Sequence, residues 1–241
     1  RMFDNPGNAY RTFFDELTNT GYRLMYWGTD ATGINVRYDG DFQKFKLAYW
    51  QLYENAVQLD DDVVRYEAMY ERQIHAKYKL GASFDYVRDR ASGEGGPSIL
   101  GQGLNSSLSE YNGTFRFPIG GNKYRADVMW LGTFITRNAA YLQDRWMLTA
   151  FANYNFGKVD TLSKTVVNNW GKRASIGGLG VNLKTGYRYG KTAMDIIQAD
   201  ILYSAGDANG IEDNKYSGVM TGNNWGAPVS IFISSGSYIL F

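Results

Sequence analysis

No cysteine occurs in this chain, which removes disulfides, thiolate metal sites and cysteine nucleophiles together. Histidine is nearly absent too. His75 is the single one, so a Ser-His or Asp-His hydrolase would have to be built around it, and it sits beside a short turn rather than in a cleft-forming loop. No run of 18 apolar residues exists, which excludes a transmembrane helix. Formal net charge is only +1, which leaves no bulk electrostatic case for a nucleic-acid partner. Neither a starting Met nor a signal peptide is present, so the chain is read as beginning at a processed end or inside a longer protein. Gly-rich phosphate loops, zinc-ligand spacing and paired catalytic carboxylates are likewise missing. The expectation is a protein that is not an enzyme and needs no cofactor.

Aromatic residues are abundant: 19 Tyr, 13 Phe and 6 Trp, together with 28 Gly and only 4 Pro. That mixture suits strands and turns, and period-two alternation recurs along nearly the whole sequence. In "RWMLTAFANYNFGK" (145–158), Trp146, Leu148, Ala150, Ala152, Tyr154 and Phe156 form one face, and Gly157-Lys158 reads as a turn. Ile34, Val36 and Tyr38 precede Asp39-Gly40, a two-residue hairpin signal because type I′ turns need positive φ. Phe45, Leu47, Tyr49 and Tyr53 share a face, as do Val64, Tyr66, Ala68 and Tyr70 before a turn near Arg72-Gln73. Tyr78 to Tyr86, Tyr111 to Phe117, Tyr124 to Phe134, Val159 to Val167, Leu179 to Tyr189 and Ile197 to Tyr203 continue the pattern. A segment at 22–27 and the final "APVSIFISSGSYILF" bring the expectation to about twelve strands in one all-β domain, residues 1–241.

Connections distinguish two ends. Short ones at 39–40, 71–74, 118–123, 157–158 and 190–192 alternate with longer, more polar ones. This is the signature of an antiparallel up-and-down β-barrel in a bacterial outer membrane, with periplasmic turns and extracellular loops. Residues just before the short turns (Tyr38, Tyr70, Phe117, Tyr154, Phe156, Tyr187 and Tyr189) supply an aromatic girdle at one membrane interface. A soluble β-sandwich is the competing architecture, but it has no reason to keep its two ends different.

With the apolar faces on lipid, the opposite faces line a lumen. Parity places Arg23, Arg37, Lys44, Lys46, Arg65, Lys77, Lys79, Arg116, Arg125, Lys184 and Arg188 there. The acids Asp39, Glu54, Glu67, Glu71, Asp85, Asp127 and Asp200 join them, eleven bases against seven acids, which implies mild anion preference. The plainer reading is that these charges pair across neighbouring strands and merely hydrate the wall. Asp207, Asn209, Glu212 and Asp213 in "DANGIEDN" offer oxygen ligands for Ca²⁺ without EF-hand spacing, so a solvated loop competes with an ion site. The long loops at 88–107 and 206–228 are candidates to fold inward as a constriction or plug.

"TGINVRYDGDFQKFKLAYWQLYEN" resembles a stretch common in Gram-negative porins, and "IIQADILYSAGDANG" is similar to the alginate-export type of outer-membrane barrel. The resemblance covers about half of the chain and implies more strands, commonly eighteen, of which this chain would be an internal portion. It implies an outer-membrane channel in lipid and lipopolysaccharide, passing small solutes or exporting an anionic polysaccharide, and a homo-oligomer. The contrasting expectation is a non-conducting barrel that serves as a structural or adhesive platform.

Overall fold

Successive strands of this chain pair with their neighbours in sequence order, so the alternation of side chains along each strand becomes two distinct faces of one sheet. The computed structural model describes residues 32–54, 62–92, 123–138, 144–162, 173–192, 195–209 and 213–219. These contain β1 (Thr32–Asp39), β2 (Gln43–Tyr53), β3 (Val63–His75), β4 (Tyr78–Asp89), β5 (Tyr124–Arg137), β6 (Trp146–Thr161), β7 (Arg173–Arg188), β8 (Ile196–Ser204) and β9 (Lys215–Tyr216). Strands β1 to β8 form an antiparallel meander, and β9 adds in parallel to β7. The fold is thus all-β and up-and-down, an open sheet not closed into a barrel among the described residues. The expected strands at 22–27, 111–117 and in the final segment lie outside the described residues.

Connections fall at two ends, but not with the lengths expected: the one after β5, expected among the longer ones, joins the short turns, and the short turn expected at 118–123 falls within the 90–123 connection. At one end the connections are 40–42, 76–77, 138–145 and 189–195; at the other they are 54–62, 90–123 and 162–172. Several turns sit elsewhere than the sequence suggests. Asp39 stays in the ladder opposite Lys44, so the first hairpin turns at 40–42. Arg72 and Gln73 pair with Leu80 and Lys79, which moves the second turn to 76–77.

The Gly157-Lys158 turn does not exist: β6 runs through it to Thr161 and absorbs the start of the strand expected at 159–167. Glycine is needed there for another reason. Its φ is 152°, and a Cβ would stand 2.0 Å from the Asp127 carbonyl oxygen, so the residue serves close strand approach.

One face of the sheet is open and the other covered. On the open face lie Ile34, Val36 and Tyr38 of β1, Phe45, Leu47 and Tyr49 of β2, and Tyr66 and Tyr70 of β3. Leu80 and Phe84 of β4, Trp146 and Tyr154 of β6, Leu179 of β7, and Ile197, Ile201 and Tyr203 of β8 continue it. These are the faces that the alternation picks out.

Strand β5 is the exception. Tyr124, Ala126, Val128, Trp130 and Phe134, expected to look outward, are buried on the covered face, while Leu131 is 54% exposed. The register explains it: Trp130 stands opposite Asp85 and Asn155, and Val128 opposite Val87, all on the covered side. Tyr53 also changes face, because a bulge between Gln51 and Tyr53 sets it opposite Val63 and against the covered apolar cluster.

Gly157→Val is expected to cost on the order of 1–3 kcal/mol through strain against Asp127. Gly206→Ala, with nothing within 4 Å of the added Cβ, should stay within about 0.5 kcal/mol. Urea unfolding followed by tryptophan fluorescence compares the two.

Candidate functional site

The covered face is sorted along the strands. Toward the long-connection end it carries an apolar cluster that includes Val63, Val87, Tyr124, Val128, Trp130, Val159 and Ile176. Tyr216 of β9 belongs to this cluster. Gly178 lets that segment approach, since a Cβ there would lie 2.3 Å from the Gly218 carbonyl oxygen. The described part of the loop at 206–228 therefore packs onto the covered wall. The loop at 88–107 is described only to residue 92.

Next along the wall comes a chain of charges across three strands. Lys46 Nζ on β2 lies 3.0 Å from Glu67 Oε1 on β3, and Trp50 Nε1 donates to Glu67 Oε2 at 3.1 Å. Arg65 lies 3.9 Å from the same carboxylate and donates through Nε to Asp85 Oδ1 on β4 at 2.9 Å, with Nη2 also on Asp85. Arg65 and Asp85 are 0% exposed. Charges so deep persist only when paired, and here two bases alternate with two acids. On β5 to β7 the neighbouring covered rows mix amides and glycines (Gly132, Asn153, Asn155, Gly180 and Asn182) with the buried rings of Trp130, Phe134 and Phe151. Closer to the short turns, Lys79 Nζ holds Glu71 Oε1 at 2.9 Å, and a row of Thr136, Thr149, Lys184 and Asp200 follows. Asn182 Nδ2 donates to Asp200 Oδ1 at 2.6 Å.

Of the charges assigned by parity to one wall, Arg37, Lys44, Lys46, Arg65, Lys79, Lys184, Arg188, Asp39, Glu67, Glu71, Asp85 and Asp200 do share the covered face, Arg37 and Asp39 as an exposed pair on edge strand β1. Arg125 and Asp127 do not. The reversed phase of β5 puts both on the open face, where Asp127 receives Tyr86 Oη at 2.7 Å and Arg90 Nη2 at 2.8 Å. Lys77 lies in the 76–77 turn, bound to Asp144. Glu54 lies just past β2 and accepts from Gln51 Nε2 at 3.1 Å. Arg23 and Arg116 lie outside the described residues. With Asp89 added, the covered wall carries seven bases and six acids, a much smaller basic excess than parity implied. Cross-strand ion pairs join Lys46 with Glu67, Arg65 with Asp85 and Lys79 with Glu71.

The aromatics divide into two levels rather than one. Tyr38, opposite Phe45 and then Tyr70, lies toward the short turns, as do Tyr187 beside Trp146 (ring centroids 4.6 Å apart) and Tyr189. Phe156 is corrected to the other end, and Tyr154, opposite Leu131 and Leu179, to the middle of β6. Phe156 pairs with Met129, continuing a row through Tyr86, Tyr66 and Tyr49, whose rings meet at 5.9 and 5.6 Å. Phe117 lies outside the described residues. The sequence alone does not show this second row, because a turn at Gly157 would put all girdle residues at one height.

His75 is a turn residue: its Nδ1 accepts the Lys77 N–H at 3.2 Å, and its ring meets Tyr78 edge-on. Asp207 and Asp213 cap turns. Asp207 accepts from the Asn209 N–H at 3.2 Å and the Ser217 N–H at 2.5 Å, and Asp213 from the Lys215 N–H at 3.0 Å. Glu212 lies outside the described residues, and no group of three acidic or histidine ligands occurs among them.

No protein-family model matches the chain, and no curated protein matches it. What the geometry offers is a sheet whose open face is apolar and whose covered face combines an apolar cluster and the buried Phe134, Met147 and Phe151 with paired charges, amides and glycines.

Glu67→Ala is expected to lose about 3–5 kcal/mol, because Lys46 and Arg65 would face one remaining acid in a buried site. Removing Lys46 and Glu67 together should cost much less, and a double-mutant cycle in urea reads the coupling.

The short turns respond to acid. The Lys77 ammonium, with the Trp146 N–H and Arg137, holds the Asp144 carboxyl down at about 2. A lowered pKa adds stability above the carboxylate's ordinary value, which is lost as pH falls from about 4 toward 2. The difference in thermal midpoint between the native protein and Asp144→Asn should be full above pH 4 and vanish near pH 2.

Proposed function

We propose that this chain forms the wall of an antiparallel β-barrel in a bacterial outer membrane and conducts small solutes through a polar interior without catalysis. The observation that carries the reading is the polarity of the sheet's two faces. A protein in water covers its apolar side chains; here Leu131 is 54% and Tyr154 45% exposed on inner strands, while the charged Arg65 is wholly buried beside the apolar cluster. Lipid on the open face and a hydrated lumen on the other account for that polarity.

Dimensions support it. Apolar open-face positions on β6 run from Trp146 to Phe156, ten residue steps or about 33 Å along the strand. Tilted at about 40°, that stretch spans about 25 Å, the height of a lipid-facing band. Aromatic rows bound the band at both ends, and Asp127 and Arg137 flank the apolar positions of β5. Short turns at one end and long connections at the other match periplasmic and extracellular sides.

Closure of the sheet into a barrel is part of this proposal. The edges β1 and β8 require further strands, because unpaired backbone groups do not persist in hydrocarbon. Mild anion preference follows from the small basic excess of the covered wall, to which Lys44 on β2 and Lys184 and Arg188 on β7 contribute toward the short turns; an acidic polysaccharide is the larger substrate of the same chemistry.

One observation favours a second reading. The apolar cluster with Tyr216 seated in it occupies the covered wall at the long-connection end, which suits a closed lumen and a barrel that acts as a platform.

Planar-bilayer conductance under a salt gradient separates the two. Stable openings with an anion-favouring reversal potential are the result expected of a conduit. Silence from a folded, inserted protein leaves the platform. The membrane assignment has its own check in Leu131→Arg. On lipid it should cost about 2–4 kcal/mol; on a water-facing surface it would stay within about 0.5 kcal/mol.

A further inference from the structure

Past the Tyr86–Met129–Phe156 row the open face changes from apolar to charged within one step of the ladder. The next row is Arg88, Asp127 and Lys158 on β4, β5 and β6, and the one after it Arg125, Asp160 and Arg173 on β5, β6 and β7. Arg90, just beyond β4, reaches back to Asp127. Five cations and two acids thus occupy this part of the open face.

Both acids are already engaged. Asp127 takes Tyr86, Arg90 and, at 3.8 Å, Lys158, while Asp160 takes Arg173 at 2.5 and 3.1 Å. Arg125 is exposed and makes no hydrogen bond or ion pair among the described residues. Lys158 and Arg173 keep 46% and 64% of their side chains exposed.

Arg125 and Arg173 flank Asp160 at one strand spacing each, so their backbones stand about 10 Å apart, and Lys158 lies one row, about 7 Å, closer to the apolar band. The cations therefore sit where lipid headgroups would begin, directly above side chains proposed to touch acyl chains.

We propose that Arg125, Lys158 and Arg173 form a docking site for the phosphomonoester groups of an anionic glycolipid in the leaflet at the long-connection end. Charge complementarity and continuity with the apolar band point to a lipid. Arginine suits the headgroup because its fork binds phosphate in two places, and lysine adds a compact charge nearer the hydrocarbon. The inference rests on the membrane reading above.

The test uses the folded full chain in neutral detergent, titrated with diphosphorylated lipid A and with the same lipid after its phosphates are removed. Insertion into phosphatidylcholine vesicles is scored separately by protease protection. The phosphorylated lipid should bind at least about tenfold more tightly, the effect of one or more charge-assisted hydrogen bonds. Arg125→Gln/Lys158→Gln, which leaves the Arg173–Asp160 pair intact, should reduce that preference to less than about twofold and still insert. Arg125→Gln alone should already weaken the preference, whereas Arg72→Gln, the same single charge removed from the open face near the other end, should leave it unchanged.

Equal binding of both lipids, or a preference that survives in the double variant, overturns the site while insertion stands. Displacement of the lipid by millimolar inorganic phosphate overturns the lipid assignment in favour of a free anion, and displacement by an acidic peptide does so in favour of a protein. Failure to insert into phosphatidylcholine vesicles overturns the membrane reading itself, and the lipid site with it.

Discussion

Alternating charge on the covered wall, from Lys46 through Glu67 and Arg65 to Asp85, constrains the rest of the sheet. The pairs hold only if β2, β3 and β4 keep their register. Side chains repeat every two residues, so a slip of β3 by one position would carry Arg65 and Glu67 to the open face, Tyr66 and Tyr70 inward, and leave Lys46 and Asp85 without their partners. The network therefore specifies which face is which, a role separate from net stability, since buried pairs often only offset their own desolvation. From β4 onward the register is passed on strand by strand to β8.

The two faces then answer to different surroundings. Open-face side chains are large and apolar over a limited height, with aromatic rows above and below and charges beyond. The covered face grades from an apolar cluster at the long-connection end, through paired charges and amides, to lysine and threonine near the short turns. A conduit and a platform differ mainly in that cluster. A pore needs the polar stretch to be continuous with water at both ends, and a platform needs the cluster to seal one of them.

Much of this is legible in the sequence where one strand face is distinctly more apolar than the other. Strands β2, β4, β6 and β8 show their open face in their alternation, because Lys46, Asp85, Asn153 and Asp200 mark the opposite side. Strand β5 was misread because both its faces are apolar: Val128, Trp130 and Phe134 on one, Met129, Leu131 and Ile135 on the other. Only its pairing with Asp85 and Asn155 decides between them, and pairing is a long-range fact. Gly157 was misread for a local reason. Glycine marks a turn and a close backbone approach equally well, and here it is the second. That error moved Phe156 to the wrong end and Tyr154 away from the middle of β6, and concealed the second aromatic row. The cations beyond that row escaped notice because Arg125 had been assigned to the other face, and the rest are far apart in sequence.

Absence of cysteine makes the central claim directly measurable. Single substitutions Met147→Cys through Phe156→Cys along β6, each carrying a nitroxide label in the folded protein in vesicles, report contact with lipid-soluble oxygen and with a water-soluble nickel complex. The account predicts period-two behaviour, with labels at 148, 150, 152, 154 and 156 relaxed by oxygen and shielded from nickel, and those at the positions between them showing no such lipid signature. Nickel reaching 150 and 152 as readily as a water-exposed turn would contradict it, because the open apolar face would then lie in water.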